Sequence, residues 1–145
     1  MGSFMSSSNQ RNFDNTFSAV QQACLTVELT GLRSNLGVIN IGVFSSREGF
    51  PNDATRAVRS GCFPIPTLPL LLTFDDLPFG LYAATVHHDE NMDGELNTNL
   101  LGIPTEGIGF SGNPKIWRGV PAFERTRFEF SSANPTVSIR VKYLL

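Results

Sequence analysis

Two features that would assign a chain to a functional class at once are scarce or missing in this sequence. Cysteine occurs only at Cys24 and Cys62, so one disulfide is the maximum and a zinc site with four thiolate ligands is excluded. A disulfide between them would indicate an oxidising compartment. Runs of about 18 apolar residues are also missing, so no segment is predicted to span a membrane.

Basic residues are absent from a long central part of the chain. The formal net charge is only −2, which provides no general attraction to nucleic acid. From Gly61 to Pro114 there is no Lys or Arg, although this stretch carries many carboxylates. They belong to Asp75, Asp76, Asp89, Glu90, Asp93, Glu95 and Glu106. A segment of this kind must remain solvated or bind cations.

Residues 1–23 are predicted to form a polar arm. Phe13, Phe17 and Val20 have the spacing of one face of a short helix within it. The start lacks the apolar core of a signal peptide, which agrees with a processed exported protein and also with a native cytoplasmic start.

Apolar and polar residues alternate through the rest of the chain, which indicates β-strands. Leu25, Val27 and Leu29 follow this pattern, and a second strand is predicted over residues 37–45. Because the turn residues Ser34 and Asn35 lie between them, we expect these two strands to pair as an antiparallel hairpin.

The pattern as a whole predicts a single all-β domain over residues 24–145. We expect a six- or seven-stranded antiparallel β-sandwich of immunoglobulin-like or transthyretin-like type. Prolines beside residues 59–65 place that strand at a sheet edge. Between His88 and Phe123, about 34 residues show neither helical nor strand periodicity, and a loop of such length is usually functional.

The long loop begins with the first half of a calcium-binding pattern. Its oxygen side chains alternate and are followed by Gly94, as in D-x-[DN]-x-[DN]-G, so that they turn toward one centre. The predicted ligands are Asp89, Asn91, Asp93, the carbonyl of Glu95, and Asn97. We expect Leu96 to anchor this coil to the core.

The second half of the pattern is not met. Leu100 stands where an EF-hand places its bidentate glutamate, so the ion needs Glu106, a carbonyl oxygen or water to complete its shell. We predict Ca²⁺ as the cofactor, with a dissociation constant of roughly 10⁻⁴–10⁻³ M. The alternative is a metal-free turn, because Asp, Asn and Gly are also the ordinary residues of turns.

His88 precedes this coil and has two interpretations. It is either a hydrogen-bonded histidine at a strand end, or it takes part in a metal site. In the latter case it orients a ligand by a hydrogen bond or joins Asp89 as an alternative ligand of Zn²⁺ or Cu²⁺. Together with Glu106, the latter would make a metal-dependent enzyme or metalloprotein. Signatures such as Gly-x-Ser-x-Gly and His-Glu-x-x-His do not occur, so an enzyme is the less favoured interpretation.

Residues late in the loop form the predicted binding surface. Phe110, Ser111, Asn113 and Trp117 would face a protein or glycan partner. The alternative is that the aromatic residues fold the loop back onto the sandwich.

Three stretches allow a comparison with a known family. They read LTVELTGLRSNLGVINIGVFSSREGFP, LTFDDLPFGLYAATVHHDENMDGELNTNLLGIPTEGIGFS and PAFERTRFEF. In these the chain resembles the bacterial family called domain of unknown function 2141. Members look like secreted or periplasmic proteins, so the resemblance implies a periplasmic or extracellular location here.

The resemblance also concerns the ligands of the loop. The run from Gly102 to Gly107 accompanies the aspartate run in the family, which implies that Glu106 is the missing carboxylate. The alternative for Glu106 is an exposed turn residue. Asn97 stands where the family tends to have aspartate, which implies weaker cation binding.

The sequence therefore predicts a non-catalytic extracytoplasmic module whose calcium-binding loop presents a partner-binding surface. The metal-dependent protein using His88, Asp89 and Glu106, and a metal-free structural envelope domain, are the two alternatives.

Overall fold

The computed structural model describes residues 21–116 and 119–145, which form eight strands and two short helical turns. The strands are β1 (Gln22–Thr30), β2 (Val38–Phe44), β3 (Arg59–Phe63), β4 (Leu70–Pro78), β5 (Gly80–Asp89), β6 (Gly107–Phe110), β7 (Phe128–Phe130) and β8 (Thr136–Arg140). A 3₁₀ turn covers Ala54–Arg56, and one α-helical turn, α1, covers Phe123–Thr126. The helix predicted around Phe17 lies outside the described residues.

The strands form two sheets. One has the order β4-β1-β8, in which β1 is antiparallel to β4 and parallel to β8. The other has the order β3-β2-β5-β6, with β7 paired to β5, and all of its pairs are antiparallel. The predicted all-β sandwich is confirmed. It has one strand more than expected, because β6 lies inside the stretch that shows no periodicity.

The core lies between the two sheets and follows the predicted alternation. On β1 the side chains of Leu25, Val27 and Leu29 are fully buried, and they face Ile39 and Val43 of β2 across the core. Burial of each such side chain contributes about 1.5–3 kcal/mol. A second, smaller cluster covers the outer face of the larger sheet, where its buried members are Phe44, Ala83 and Phe123.

The predicted pairing of the first two strands is wrong. β1 and β2 lie in different sheets, so residues 31–37 carry the chain across the sandwich instead of forming a hairpin turn. The expected position of residues 59–65 at an edge is confirmed, since β3 is an edge strand. Cys24 on β1 and Cys62 on β3 belong to different sheets, and both are free thiols.

The C-terminal segment connects the two sheets beside the end of β5. Val141 donates to the carbonyl of Thr30, 2.8 Å away, while Lys142 exchanges two backbone hydrogen bonds with Ile108 of β6. This crossing brings Tyr143 close to the start of the long loop. Within the described residues, no helix is both long and apolar enough to cross a membrane.

Candidate functional site

The end of β5 and the start of β6 bring three metal-binding side chains to one face of the larger sheet. His87 and Asp89 are two residues apart on β5, so they point to the same side. β6 pairs with β5 antiparallel, with His87 opposite Ile108 and His88 opposite Gly107. Continuing this register by one residue places Glu106 opposite Asp89.

The side chains of His87, Asp89 and Glu106 converge in a partly enclosed position. One potential ligand atom from each lies within 4.8 Å of the others. Asp89 and Glu106 are buried, and the His87 side chain is 18% exposed. The Nε2 atom of His87 is 3.0 Å from Oε1 of Glu106. Sequence reasoning predicted the two carboxylates but missed His87, although its alternation with Asp89 along the strand is visible in the sequence.

Glu106 also fixes both ends of the coil that follows β5. Its Oε2 atom accepts a hydrogen bond from the backbone amide of Glu90 at 3.2 Å, and its Oε1 accepts one from the amide of Asn97 at 3.1 Å. With His87, Oε1 has two hydrogen-bond partners, whereas Oε2 retains capacity for one more contact. Glu106 is therefore a buried residue that shapes the loop, rather than an exposed turn residue.

Asp89 is the most unusual group of the site. Its Oδ2 atom accepts from the amide of Gly94 at 2.8 Å. Its Oδ1 atom is buried and has no hydrogen-bond partner among the described residues. Buried polar atoms in native proteins nearly always have partners, and an unsatisfied carboxylate oxygen costs about 1–3 kcal/mol or more. The part of the chain that the structure describes thus supplies no donor to this oxygen.

Asp93 lies at the centre of the exposed coil. Its Oδ1 accepts from the amide of Glu95 at 3.0 Å, and its Oδ2 accepts from Nδ2 of Asn97 and of Asn91 at 3.0 and 3.2 Å. Hydrogen bonds from the Glu95 amide, then from Asn97 and Asn91, hold the pKa of Asp93 below its usual value. Because Asp89 accepts from the amide of Gly94, the residue after Asp93, the coil folds back toward Asp89.

These two carboxylates are not neutralised by basic side chains. Among the described residues, the ion pair nearest in sequence joins Arg33 to Glu90, while Asp89 and Asp93 form none. Arg33 also donates from its Nε to Glu90 at 3.3 Å and stacks on the ring of Tyr143, 4.4 Å from the ring centroid. The positive charge of Arg33 is therefore paired with Glu90, and the coil retains an excess of negative charge.

His88 occupies a different environment from His87. It is fully buried, with Nδ1 2.7 Å from the hydroxyl of Tyr143 and Nε2 2.7 Å from the carbonyl of Leu36. Because a carbonyl only accepts, Nε2 carries a hydrogen and donates it. Both ring nitrogens are in use, so His88 matches the strand-end histidine and does not face the coil as an alternative ligand.

Two of the four residues predicted as a partner surface are internal. Phe110 and Ser111 are buried, and the Ser111 hydroxyl bridges the amide of Ala84 and the carbonyl of Thr126. Asn113 is exposed and bonds to the backbone of β8, and Trp117 lies outside the described residues. The expected surface is therefore corrected at Phe110 and Ser111, because the end of β6 buries both side chains.

The exposed apolar residues of the loop lie elsewhere. Leu100 and Leu101 are 105% and 82% exposed at the tip of a small hairpin, and Leu96 is 44% exposed rather than anchored in the core. Asn99 shapes this tip, since its Oδ1 accepts from the amides of Leu101 and Ile103. The sequence signal for this surface was the pair of adjacent leucines between asparagine and glycine.

Comparisons with known proteins identify the family of the chain. The profile of the family described as "Uncharacterized protein conserved in bacteria (DUF2141)" matches residues 27–138, a range that includes most of both sheets and the whole coil. Neither a curated protein nor a solved structure matches the chain. The chain therefore belongs to the uncharacterized bacterial family DUF2141.

Proposed function

We propose that this protein is a non-catalytic extracytoplasmic module that binds Ca²⁺ in the coil from Asp89 to Asn97. The observation that carries the proposal is the buried Oδ1 atom of Asp89, which has no hydrogen-bond partner among the described residues, while Oδ2 of the same carboxylate holds the amide of Gly94, the residue that follows Asp93. A divalent cation bound there would satisfy the buried oxygen and take Asp93 as a second carboxylate ligand.

The coil offers oxygen ligands of the kind that Ca²⁺ prefers. Besides the two carboxylates, the amides of Asn91 and Asn97 point toward Asp93, and turning each amide by about 180° directs its oxygen to the same place. The Glu95 carbonyl and the free capacity of Oε2 on Glu106 are further candidates. Ca²⁺ takes about 6–8 oxygens, so water would complete the shell.

The affinity expected from this ligand set is modest. Only Asp89 and Asp93 supply charge from the coil itself, and Glu106 already accepts hydrogen bonds from two backbone amides. Fewer charged ligands give weaker sites, and dissociation constants of about 10⁻⁴–10⁻³ M are typical of extracellular modules. An extracytoplasmic location, suggested by the resemblance to secreted family members, fits such an affinity.

In this proposal the ion holds the loop that presents Leu100 and Leu101 to a protein partner. The two leucines are exposed side by side on a hairpin tip whose backbone bonds join Asn99 to Ile103 and Asn97 to Thr105. Since Asn97 belongs to both the coil and this hairpin, an ion in the coil would restrain the base of the tip.

Thermal melting in EDTA and in about 10 mM CaCl₂ tests the proposal. This concentration is about 10–100 times the expected dissociation constant, so the ion should stabilise the folded state by about 1.4–2.7 kcal/mol and raise the melting temperature by several degrees. Asp93→Asn should remove most of this increase. Glu95→Gln is the matched control, because that side chain is exposed and only its backbone takes part in the coil.

The metal-free alternative makes the opposite prediction. If the coil is stabilised only by its own hydrogen bonds, Asp89→Ala and Asp93→Ala will lower the melting temperature equally with and without Ca²⁺. That result, or an unchanged melting temperature of the wild type at millimolar Ca²⁺, would overturn the proposed function.

A further inference from the structure

We infer that His87, Asp89 and Glu106 form a second cation site, which takes a transition metal of the Zn²⁺ class rather than Ca²⁺. This site shares Asp89 with the proposed calcium coil but does not depend on it. It uses strand residues where the coil uses loop residues, and it includes a nitrogen ligand, which Ca²⁺ does not favour.

The positions of the three groups fit a small tetrahedral ion. Zn²⁺ binds His nitrogen and carboxylate oxygen at about 2.0–2.2 Å, which separates neighbouring ligand atoms by about 3.4 Å. Nε2 of His87 and Oε1 of Glu106 are 3.0 Å apart, and one ligand atom from each of His87, Asp89 and Glu106 lies within 4.8 Å of the other two. A shift of the Asp89 carboxylate toward the pair would complete three protein ligands, and the fourth position would remain for water.

An ion in this place would leave the loop clamp intact. It would replace the hydrogen between His87 and Glu106, with the hydrogen of the neutral ring then carried by Nδ1 and the metal on Nε2. Glu106 would keep its bonds to the amides of Glu90 and Asn97. Oδ1 of Asp89, which has no partner among the described residues, would become the third ligand.

Because one oxygen of Asp89 serves both sites, Zn²⁺ and Ca²⁺ should compete. The two sites nevertheless depend on different neighbours: His87 on the strand for Zn²⁺, and Asp93 in the coil for Ca²⁺. This difference allows each site to be removed separately.

Isothermal titration of the full chain with ZnCl₂ and with CaCl₂ provides the test. Both cysteines are replaced by serine throughout, since the exposed thiol of Cys62 is itself a zinc ligand. His87→Gln can still donate to Glu106, and it should weaken Zn²⁺ binding more than about tenfold, because even outer-shell substitutions cost 10–100-fold. It should leave Ca²⁺ binding within about twofold of wild type. Asp93→Asn should weaken Ca²⁺ binding and leave Zn²⁺ binding close to that of the wild type. Asp89→Asn should weaken the binding of both ions.

A second measurement needs no substitution among the three proposed ligands. The chain contains two histidines, so ring ¹⁵N spectra of the cysteine-free protein resolve His87 with His88 as an internal control. One equivalent of Zn²⁺ should shift the Nε2 resonance of His87 strongly and leave that of His88, which is engaged with Leu36, in place.

The outcomes separate this inference from the proposed function. Zn²⁺ binding that His87→Gln leaves unchanged, or an unshifted His87 resonance at saturating Zn²⁺, would overturn the second site. Binding of Zn²⁺ through His87 without any binding of Ca²⁺ would support it and refute the calcium coil. Binding of Ca²⁺ without Zn²⁺ would do the opposite.

Discussion

Oε1 of Glu106 accepts a hydrogen bond from the backbone amide of Asn97 across nine residues of chain, at 3.1 Å. The same carboxylate holds the amide of Glu90, so one buried side chain closes the coil at both ends. The acceptor in both hydrogen bonds is a carboxylate, and hydrogen bonds to a charged acceptor contribute about 1.5–3 kcal/mol each. The shape of the loop therefore depends on Glu106 whether or not an ion is bound.

We expect Glu106→Ala to lower the free energy of unfolding by about 2–4 kcal/mol in EDTA, since two amides and His87 lose their acceptor. Urea denaturation followed by tryptophan fluorescence and circular dichroism measures this loss. Glu95→Ala is the control, because its exposed side chain holds no backbone amide, and it should change stability by less than about 0.5 kcal/mol. Equal effects of the two substitutions would contradict the clamp.

The hydroxyl of Tyr143 links the C-terminal segment to the buried His88. It accepts from the backbone amide of Arg33 at 3.1 Å and lies 2.7 Å from Nδ1 of His88. Tyr143→Phe should therefore leave two groups without a partner and cost about 2–3 kcal/mol.

Tyr82→Phe is the matched comparison for Tyr143→Phe. The Tyr82 hydroxyl donates only to the carbonyl of Pro78, so its loss should cost about 1 kcal/mol. Denaturant titrations of both variants give the two values, and a larger loss for Tyr82→Phe would refute the bridging role of Tyr143.

Alternation along strands was enough to predict the sandwich and much of its core. Leu25, Val27 and Leu29 are buried as expected, because the period of two determines which side chains share a face. Pairing was not predictable in the same way. β1 and β2 carry equivalent patterns, and the route of residues 31–37 between sheets decides that they do not pair.

β6 escaped prediction because two of its four residues are glycines. A Cβ atom at Gly107 would lie 2.5 Å from the ring of Tyr143, and one at Gly109 would lie 2.8 Å from Ile139. Because the C-terminal segment packs so closely against β6, both positions require glycine. Glycine weakens the strand signal of β6 in the sequence. The position of His87 beside Asp89 follows from alternation alone. The return of Glu106 to Asp89 depends on β6, so the sequence offered Glu106 only as one of several possible ligands and the family resemblance singled it out.

The chain approaches the start of the coil very closely at Gly37. Its φ is +71°, and a Cβ atom there would lie 2.1 Å from the carbonyl oxygen of Asp89. We expect Gly37→Ala to cost more than about 3 kcal/mol, because backbone would have to move against backbone in addition to the strain of a positive φ.

Gly102→Ala isolates the conformational part of this cost. Gly102 has a φ of +78°, but a Cβ atom there meets nothing within 4 Å, so we expect a loss of only about 1–2 kcal/mol. Chemical denaturation of both variants measures the difference. If both variants lose the same free energy of unfolding, the close approach of Gly37 to the coil adds nothing to the cost of a positive φ.

The pair of Arg33 and Glu90 should make stability depend on pH in the acidic range. Hydrogen bonding to Arg33 lowers the pKa of Glu90 from its ordinary 4.5. The folded state thus favours the ionised carboxylate, so the stabilisation is complete above about pH 5 and is lost as the pH falls through the folded pKa. Because the Arg33 side chain is 42% exposed, the pair contributes only about 0.5–1 kcal/mol.

Unfolding free energies of wild type and Glu90→Gln between pH 3 and 7 test this dependence. We expect a difference near neutral pH that shrinks toward pH 3, where the wild-type carboxylate becomes protonated. Glu48→Gln, which interrupts an exposed pair with Arg56 at 3.6 Å, should show a smaller difference throughout. A wild-type advantage that grows on acidification would contradict the assigned direction.

Phe110 and Leu100 test which residues of the long loop are available to a partner. Phe110 is 5% exposed and packs near Phe50 with ring centroids 6.2 Å apart, so Phe110→Ala should cost about 3–5 kcal/mol. Leu100 contributes no burial to the fold, and Leu100→Ala should stay within about 0.5 kcal/mol of wild type. Guanidinium denaturation of both variants provides the comparison. If Phe110→Ala is as stable as the wild type, this side chain does not belong to the core and could contact a partner. If Phe110→Ala is destabilised and Leu100→Ala is not, Leu100 and Leu101 are the positions at which partner binding can be altered without loss of the fold.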